Sequence, residues 1–279
     1  MVATSPGEGA KLPPMPVSIP DLLDDLNAET AVLIDCLGSL DVSGWLSPTP
    51  AEGWTVLDQV SHLAFFDRAV TTAVTDPDRF VRERNEAMSR PGSMVDAVAV
   101  EGRRRTGPET ADELNVGRRA MAAAFTAADP AARVPWYGPE MSVASALTAR
   151  IMETWAHGQD VFDALGREHP LTRALRQVAH IGVRALPNSF ISNGREVPSV
   201  PVSVQLVAPD GQTWAWGPDQ AVERVSGPAV DFCLVVTQRR HVADTALVTT
   251  GDVSTEWMSI AQAFAGAPGT GREPGQFKD

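Results

Sequence analysis

At 279 residues and 29.7 kDa, with 43% hydrophobic residues, the chain carries enough apolar material for two buried cores. A formal net charge of −12 and a pI near 4.8 exclude general nucleic-acid binding, because the basic runs at 103–105 and 239–241 are too short to form a stripe against phosphates. The first residues hold neither a signal-peptide core nor a membrane-spanning stretch, and Cys36 and Cys233 lie far apart in apolar segments, which predicts reduced thiols and a cytoplasmic location.

Residues 1–19, rich in Pro, Gly and small polar side chains, read as a disordered lead-in. The spacing of Leu22, Leu23, Leu26, Val32, Ile34 and Leu37 predicts a packing helix over 21–40. A loop at 41–50 leads through Gly53 and Trp54 into a second helix, which opens on a Thr55/Asp58 capping box, carries His62 and runs to about residue 74. Trp54 reads more readily as core than as the wall of a site. Asp76 and Pro77 break that helix, and the charged residues up to Gly92 predict a mobile connector able to act as a lid. A third helix follows over 93–105 and a fourth stretch over 112–128, with Thr106 to Pro108 as a kink or loop between them. Val134 to Pro139 form an extended aromatic turn.

The longest helical pattern runs from Met141 to Gly166, with Ser142 as N-cap and Gly166 as the stop. Leu147, Ile151, Trp155 and Phe162 share one side. Glu153 and His157 lie on the opposite strip with Ala146, Ala149, Asp160 and Ala164, and Arg150 at the margin. Their i, i+4 spacing lets Glu153 and His157 reach one point, and His62 supplies a third donor. Two imidazoles and a carboxylate suit Zn²⁺ with an open fourth position, an arrangement for chemistry rather than scaffolding. Fe(II) or Ni(II) would accept the same set. The ordinary alternative is a solvated helix face, against which the alanines on the strip speak. Asp160, one turn beyond His157, is either an exposed helical residue or a carboxylate that accepts a hydrogen bond from an imidazole and fixes its orientation.

A helix over 172–186 follows, with His180 as a structural residue. The composition then changes: 200–217 reads as strand, Asp-Gly turn, strand, followed by a helix over 229–238, a short strand near 246–249, a helix over 253–264 and a flexible tail over 266–279. The predicted class is α+β, a four-helix bundle over 20–170 joined to a small α/β domain over 171–265, with 171–187 as the connecting helix. Arg239 and Arg240 follow the apolar run Phe232 to Val236 and are expected at a helix end on a surface.

In Ser61-His62-Leu63, the segment Met152 to Asp160, and the stretches Gly227 to Ala229 and Thr250 to Asp252, the chain resembles the DinB-like metalloenzymes, in particular the mycothiol-dependent maleylpyruvate isomerase type of actinobacteria. The resemblance implies a bundle holding a divalent metal, usually zinc, on His62, Glu153 and His157, and a small sterol-carrier-like C-terminal domain. It also implies a low-molecular-weight thiol cofactor, mycothiol, which adds to an activated double bond and leaves after rotation about the resulting single bond. The leading expectation is thiol-assisted isomerisation or transfer on a small unsaturated acid, with Arg239, Arg240 or Arg104 neutralising its carboxylate. Metal-assisted hydrolysis or lyase chemistry and a non-enzymatic protein binding a small ligand stay open. The expected partner is a small-molecule substrate, with no nucleic acid or membrane, in a monomer or dimer.

Overall fold

The computed structural model describes residues 18–90 and 92–277, so the expected lead-in lies outside the described residues up to position 17. The helical half comprises α1 (Ile19–Gly38), α2 (Val42–Trp45), α3 (Val56–Thr75), α4 (Pro77–Ser89), α5 (Met94–Gly102) and α6 (Gly107–Ala127). A two-stranded antiparallel pair, β1 (Arg133–Val134) and β2 (Met141–Ser142), then leads into α7 (Val143–Ala164). Helices α1, α3, α6 and α7 pack as a bundle. One end of its interior is filled by Leu22, Leu26, Met121, Phe125, Leu147 and Ile151, the other by Leu33, Leu37, Leu63, Leu114 and Val161.

A layer of buried charge separates these two apolar clusters. Asp67 falls between Leu63 and Val70 on α3, and Arg118 between Leu114 and Met121 on α6; both are buried, as is Arg150 of α7. The Asp67 carboxylate takes Arg118 at 2.8 Å and Arg150 at 3.0 Å, and Arg118 also donates to Thr154 Oγ1 at 2.7 Å. Burial pushes Arg118 down to about 10 despite that partner.

Several local signals act as read. Thr55 N donates to Asp58 Oδ2 at 2.8 Å at the start of α3, Ser142 Oγ accepts from Ser145 N at 3.1 Å, and Gly166 takes a φ of +61° just beyond α7. The expected mobile connector at 78–92 is instead helix α4 over most of its length. Asp76 caps it by accepting from Arg79 N at 3.0 Å, Pro77 occupies the first turn, and Arg79–Glu83 and Arg90–Glu86 pair at i, i+4 spacing. Phe80 pins α4 to the body by stacking on Trp136, with ring centroids 5.6 Å apart. Helix α6 starts earlier than expected because Thr106 and Glu109 form a capping box on either side of Pro108.

The second half holds α8 (Leu175–Arg184), α9 (Leu186–Ser192), β3 (Val202–Val207), β4 (Thr213–Trp216), β5 (Glu223–Pro228), α10 (Ala229–Val236), β6 (Val248–Thr250) and α11 (Asp252–Ile260). The sheet order is β4-β3-β5-β6, with β3 and β5 parallel and the other pairings antiparallel. The β3–β4 hairpin turns at Asp210 and Gly211, whose φ of +82° suits glycine. One sheet face, with Val204, Leu206 and Val225, packs with Phe232 and Trp257, and the same core takes in Met152, Trp155 and Ala156 from α7. Cys36 and Cys233 are free and buried, and no described helix is long and apolar enough to cross a membrane. The expected flexible tail is laid against the body: Arg272 bonds Asp160 at 2.9 Å, Gly275 N donates to Asp244, and Arg240 stands 3.8 Å from the Phe277 ring centre.

Candidate metal centre

Helix α7 is buried over most of its surface, and the strip bearing Glu153 and His157, whose side chains are 22% and 12% exposed, faces α3 across a crevice that solvent still reaches. There it meets His62. One ligand atom from each of His62, Glu153 and His157 lies within 4.8 Å of the others. Glu153 Oε2 is 3.1 Å from His157 Nε2 and 3.5 Å from His62 Nε2. Donors of a tetrahedral zinc site, with bonds of roughly 2.0–2.2 Å, stand roughly 3.3–3.6 Å apart. The donor set and its spacing therefore fit such an ion.

The protons point the same way. Gln59 Nε2 donates to Thr49 Oγ1 at 2.8 Å, and Thr49 in turn donates to Trp54 O at 3.0 Å, which fixes the Gln59 amide with its oxygen toward His157. That oxygen can only accept, so His157 Nδ1 carries the proton and Nε2 turns a lone pair toward Glu153. A lone pair facing a carboxylate oxygen is unfavourable unless a cation lies between them. Burial, then the neighbouring His157, pushes His62 down to about 3, which leaves it as the neutral imidazole that ligates metals. Burial works against the Glu153 charge, but the contacts with His157 and His62 outweigh it and hold the carboxyl well below its usual range.

Aromatic rings enclose the crevice. Trp54 is stacked over His157 with centroids 6.1 Å apart and lies 5.4 Å from His62, while Phe66 backs His62 at 4.5 Å. Trp54 is thus a wall of this crevice, where the sequence favoured a core role.

The other site residues read from the sequence are placed differently. Asp160 is fully buried, but its oxygens take Arg239 at 2.7 Å and Arg272 at 2.9 Å, and no imidazole. The acceptor on His157 is Gln59. Its place three residues before His62 on α3 was a legible signal, since i, i+3 side chains share a helix face. Arg239 and Arg240 do not end on an open surface: Arg239 is 12% exposed, and Arg240 grips both oxygens of Asp163 at 2.8 Å. Arg104 stands out in solvent beside Glu101 at 2.9 Å.

Known proteins resemble both halves of this chain. The mycothiol maleylpyruvate isomerase N-terminal domain family matches residues 26–162, and a family described as wyosine base formation matches residues 198–250. The uncharacterized proteins MT0041 and Rv0036c of Mycobacterium tuberculosis are each 43% identical over 248 residues, which is 89% of this chain and 96% of theirs. The crystal structure of the mycothiol-dependent maleylpyruvate isomerase superposes with a TM-score of 0.56 at 16% identity, covering 83% of this chain and 92% of that one. A histidine-to-alanine mutant of that isomerase gives a TM-score of 0.53 at 16% identity, covering 80% and 90%. At that identity the likeness is one of fold.

Proposed function

Because this chain belongs to the mycothiol maleylpyruvate isomerase family, a DinB-like group, we propose that it is a metal-dependent enzyme joining mycothiol to a small unsaturated acid, for isomerisation or thiol transfer. The observation that carries this reading is the meeting of His62, Glu153 and His157 at one point between α3 and α7. Zinc is the proposed ion, with Fe(II) and Ni(II) as the alternatives that metal analysis decides. Held by His62, Glu153 and His157, the metal would supply Lewis acidity, and the thiol would supply the sulfur nucleophile.

The chain's own side chains do the rest. His62 and His157 each offer Nε2 and Glu153 adds a negative charge, while Gln59 keeps His157 from rotating by accepting from Nδ1. Trp54 and Phe66 keep water from the imidazoles and leave an apolar lining beside the open position. Arg239, bonded to Asp160 one turn along α7 from His157, is the proposed partner for a substrate carboxylate. Arg240 and Arg104 are not assigned that role: both terminal nitrogens of Arg240 are on Asp163, and Arg104 stands out in solvent.

Metal analysis joined to a turnover assay tests this reading. The full chain should carry about one equivalent of metal. Glu153→Ala and His157→Ala should each lose most of it while the far-ultraviolet circular dichroism stays that of the wild type. Turnover of unsaturated acids should require both metal and mycothiol. Wild-type metal stoichiometry in either variant sinks the ligand assignment, and turnover indifferent to mycothiol reassigns the chemistry to hydrolysis or elimination.

A further inference from the structure

The C-terminal end of α10 is built around a strained residue. Gln238 has a φ of 60°, the one non-glycine residue of positive φ among the described residues. Glycine takes that position at a helix end without strain. A glycine could not replace the side chain, however, which donates to Ala261 O at 3.3 Å and occupies the space that Gly269 leaves for lack of a Cβ. The turn carries Arg239 and Arg240 back over the helix end, with both amides on Leu234 O at 2.7 and 3.2 Å.

Residues 261–272 are laced to this turn. Ala263 N donates to Val236 O at 2.7 Å. The buried Gln262 amide donates to the carbonyls of Phe264, Gly266 and Ala267 at 3.2–3.3 Å and accepts from Gly269 N at 3.4 Å. Arg272 is thereby delivered to Asp160, whose two oxygens are held by Arg272 and Arg239.

Charge in this cluster does not balance. Among the described residues Arg239, Arg240 and Arg272 pair with Asp160 and Asp163, three cations on two carboxylates within a chain of net charge −12. Arg239 and Arg272 are 12% and 14% exposed, and the Nε of each is buried without a hydrogen-bond partner among the described residues. Burial, ahead of every other influence, pushes the Arg272 guanidinium below its usual range, as befits a cation short of compensation. Both guanidiniums line a cleft of about 190 Å³ with Gln238, Thr270 and Ala51. Ala51 O accepts from Trp54 N at 3.0 Å, and Trp54 is stacked over His157. The cleft and the His62/Glu153/His157 crevice are therefore neighbours both along α7 and along the Trp54 loop.

We propose that this cleft is a carboxylate-binding site in which the guanidiniums of Arg239 and Arg272, the second supplied by the C-terminal segment, take one carboxylate of a small organic acid. The proposal rests on the reading above only in having the remainder of that acid reach the metal. In the competing account Arg272 merely fastens the C-terminal segment to Asp160.

Calorimetric titration of the full chain, metal-free and zinc-loaded, with maleate as the probe and maleamide as its uncharged counterpart separates the two accounts. Maleate should bind the metal-free protein and maleamide should not. Arg272→Gln should weaken maleate binding by roughly 10- to 100-fold, the size of a lost charge-assisted hydrogen bond, with zinc content unchanged. Arg272→Lys, which keeps the pairing with Asp160 but loses the planar fork, should recover part of the affinity, and it serves as the folded reference if the glutamine variant melts early. Failure of the metal-free wild type to bind maleate overturns the site, as does wild-type affinity in Arg272→Gln. Binding that needs zinc and ignores Arg272 places the carboxylate on the metal, which sinks this site and leaves the metal reading standing. Arg272-dependent binding by a protein that never retains metal does the reverse.

Discussion

Replacing Gln59 by leucine should weaken zinc binding by roughly 10- to 100-fold, or about 1.4–2.8 kcal/mol, although Gln59 offers no ligand of its own. Gln59 is fully buried and accepts the Nδ1–H of His157; its amide is held by Thr49, and Thr49 is held by the Trp54 carbonyl. Leucine keeps the volume but removes the acceptor, so His157 is left with a buried, unpaired N–H and freedom to turn Nε2 away from Glu153. Gln59→Glu keeps an acceptor and adds charge, which makes the imidazole a stronger donor to the metal, so its affinity should equal or exceed that of the wild type. Competition against a chromophoric chelator at fixed pH measures both, with circular dichroism as the check on folding. Wild-type zinc affinity in a folded Gln59→Leu protein would refute the role given to this hydrogen bond.

Asp160→Asn should leave zinc affinity unchanged while lowering stability by about 3 kcal/mol, because two nearly buried guanidiniums lose the charge they share. Denaturant unfolding and the chelator titration together decide it; a tenfold loss of zinc affinity at wild-type stability would restore the imidazole-orienting role. Gly102→Ala should destabilise the protein by about 1–3 kcal/mol, since the new Cβ would stand 2.4 Å from Ser61 Oγ, next to His62. A wild-type melting temperature for that variant would mean that α5 and α3 are free to separate there.

What the sequence made legible was local. The caps at Ser142 and Thr55 rest on side chains within a few residues, the stop at Gly166 on its own positive φ, and the convergence of Glu153 with His157 needs only helical spacing. Helix α4 was misread although its signals were present: a run of charge suggested a connector, while Asp76, Pro77 and two i, i+4 ion pairs specified a helix. Asp160 could not be read, because the Arg272 that claims it lies 112 residues away in a segment whose glycines and prolines suggested mobility. The fixed course of that segment depends on Gln262, whose amide serves nearby backbone groups in no recurrent motif, and on Gln238, which reaches Ala261 across 23 residues. The Asp67, Arg118 and Arg150 layer is similarly opaque, since each charge interrupts an apolar stripe on a different helix and only assembly pairs them.

Met152, Trp155 and Ala156 lie on the same helix as Glu153 and His157, yet they belong to the core beneath the C-terminal sheet. Severing the chain near residue 170 would therefore not release two finished proteins. The N-terminal piece would present to water an indole that is 1% exposed in the whole molecule, and a methionine beside it, as a sticky scar. The C-terminal piece would lack part of its floor. The two halves share a foundation, so a recombination event that exchanged either one would have to carry α7 along or rebuild the face on which the other stands.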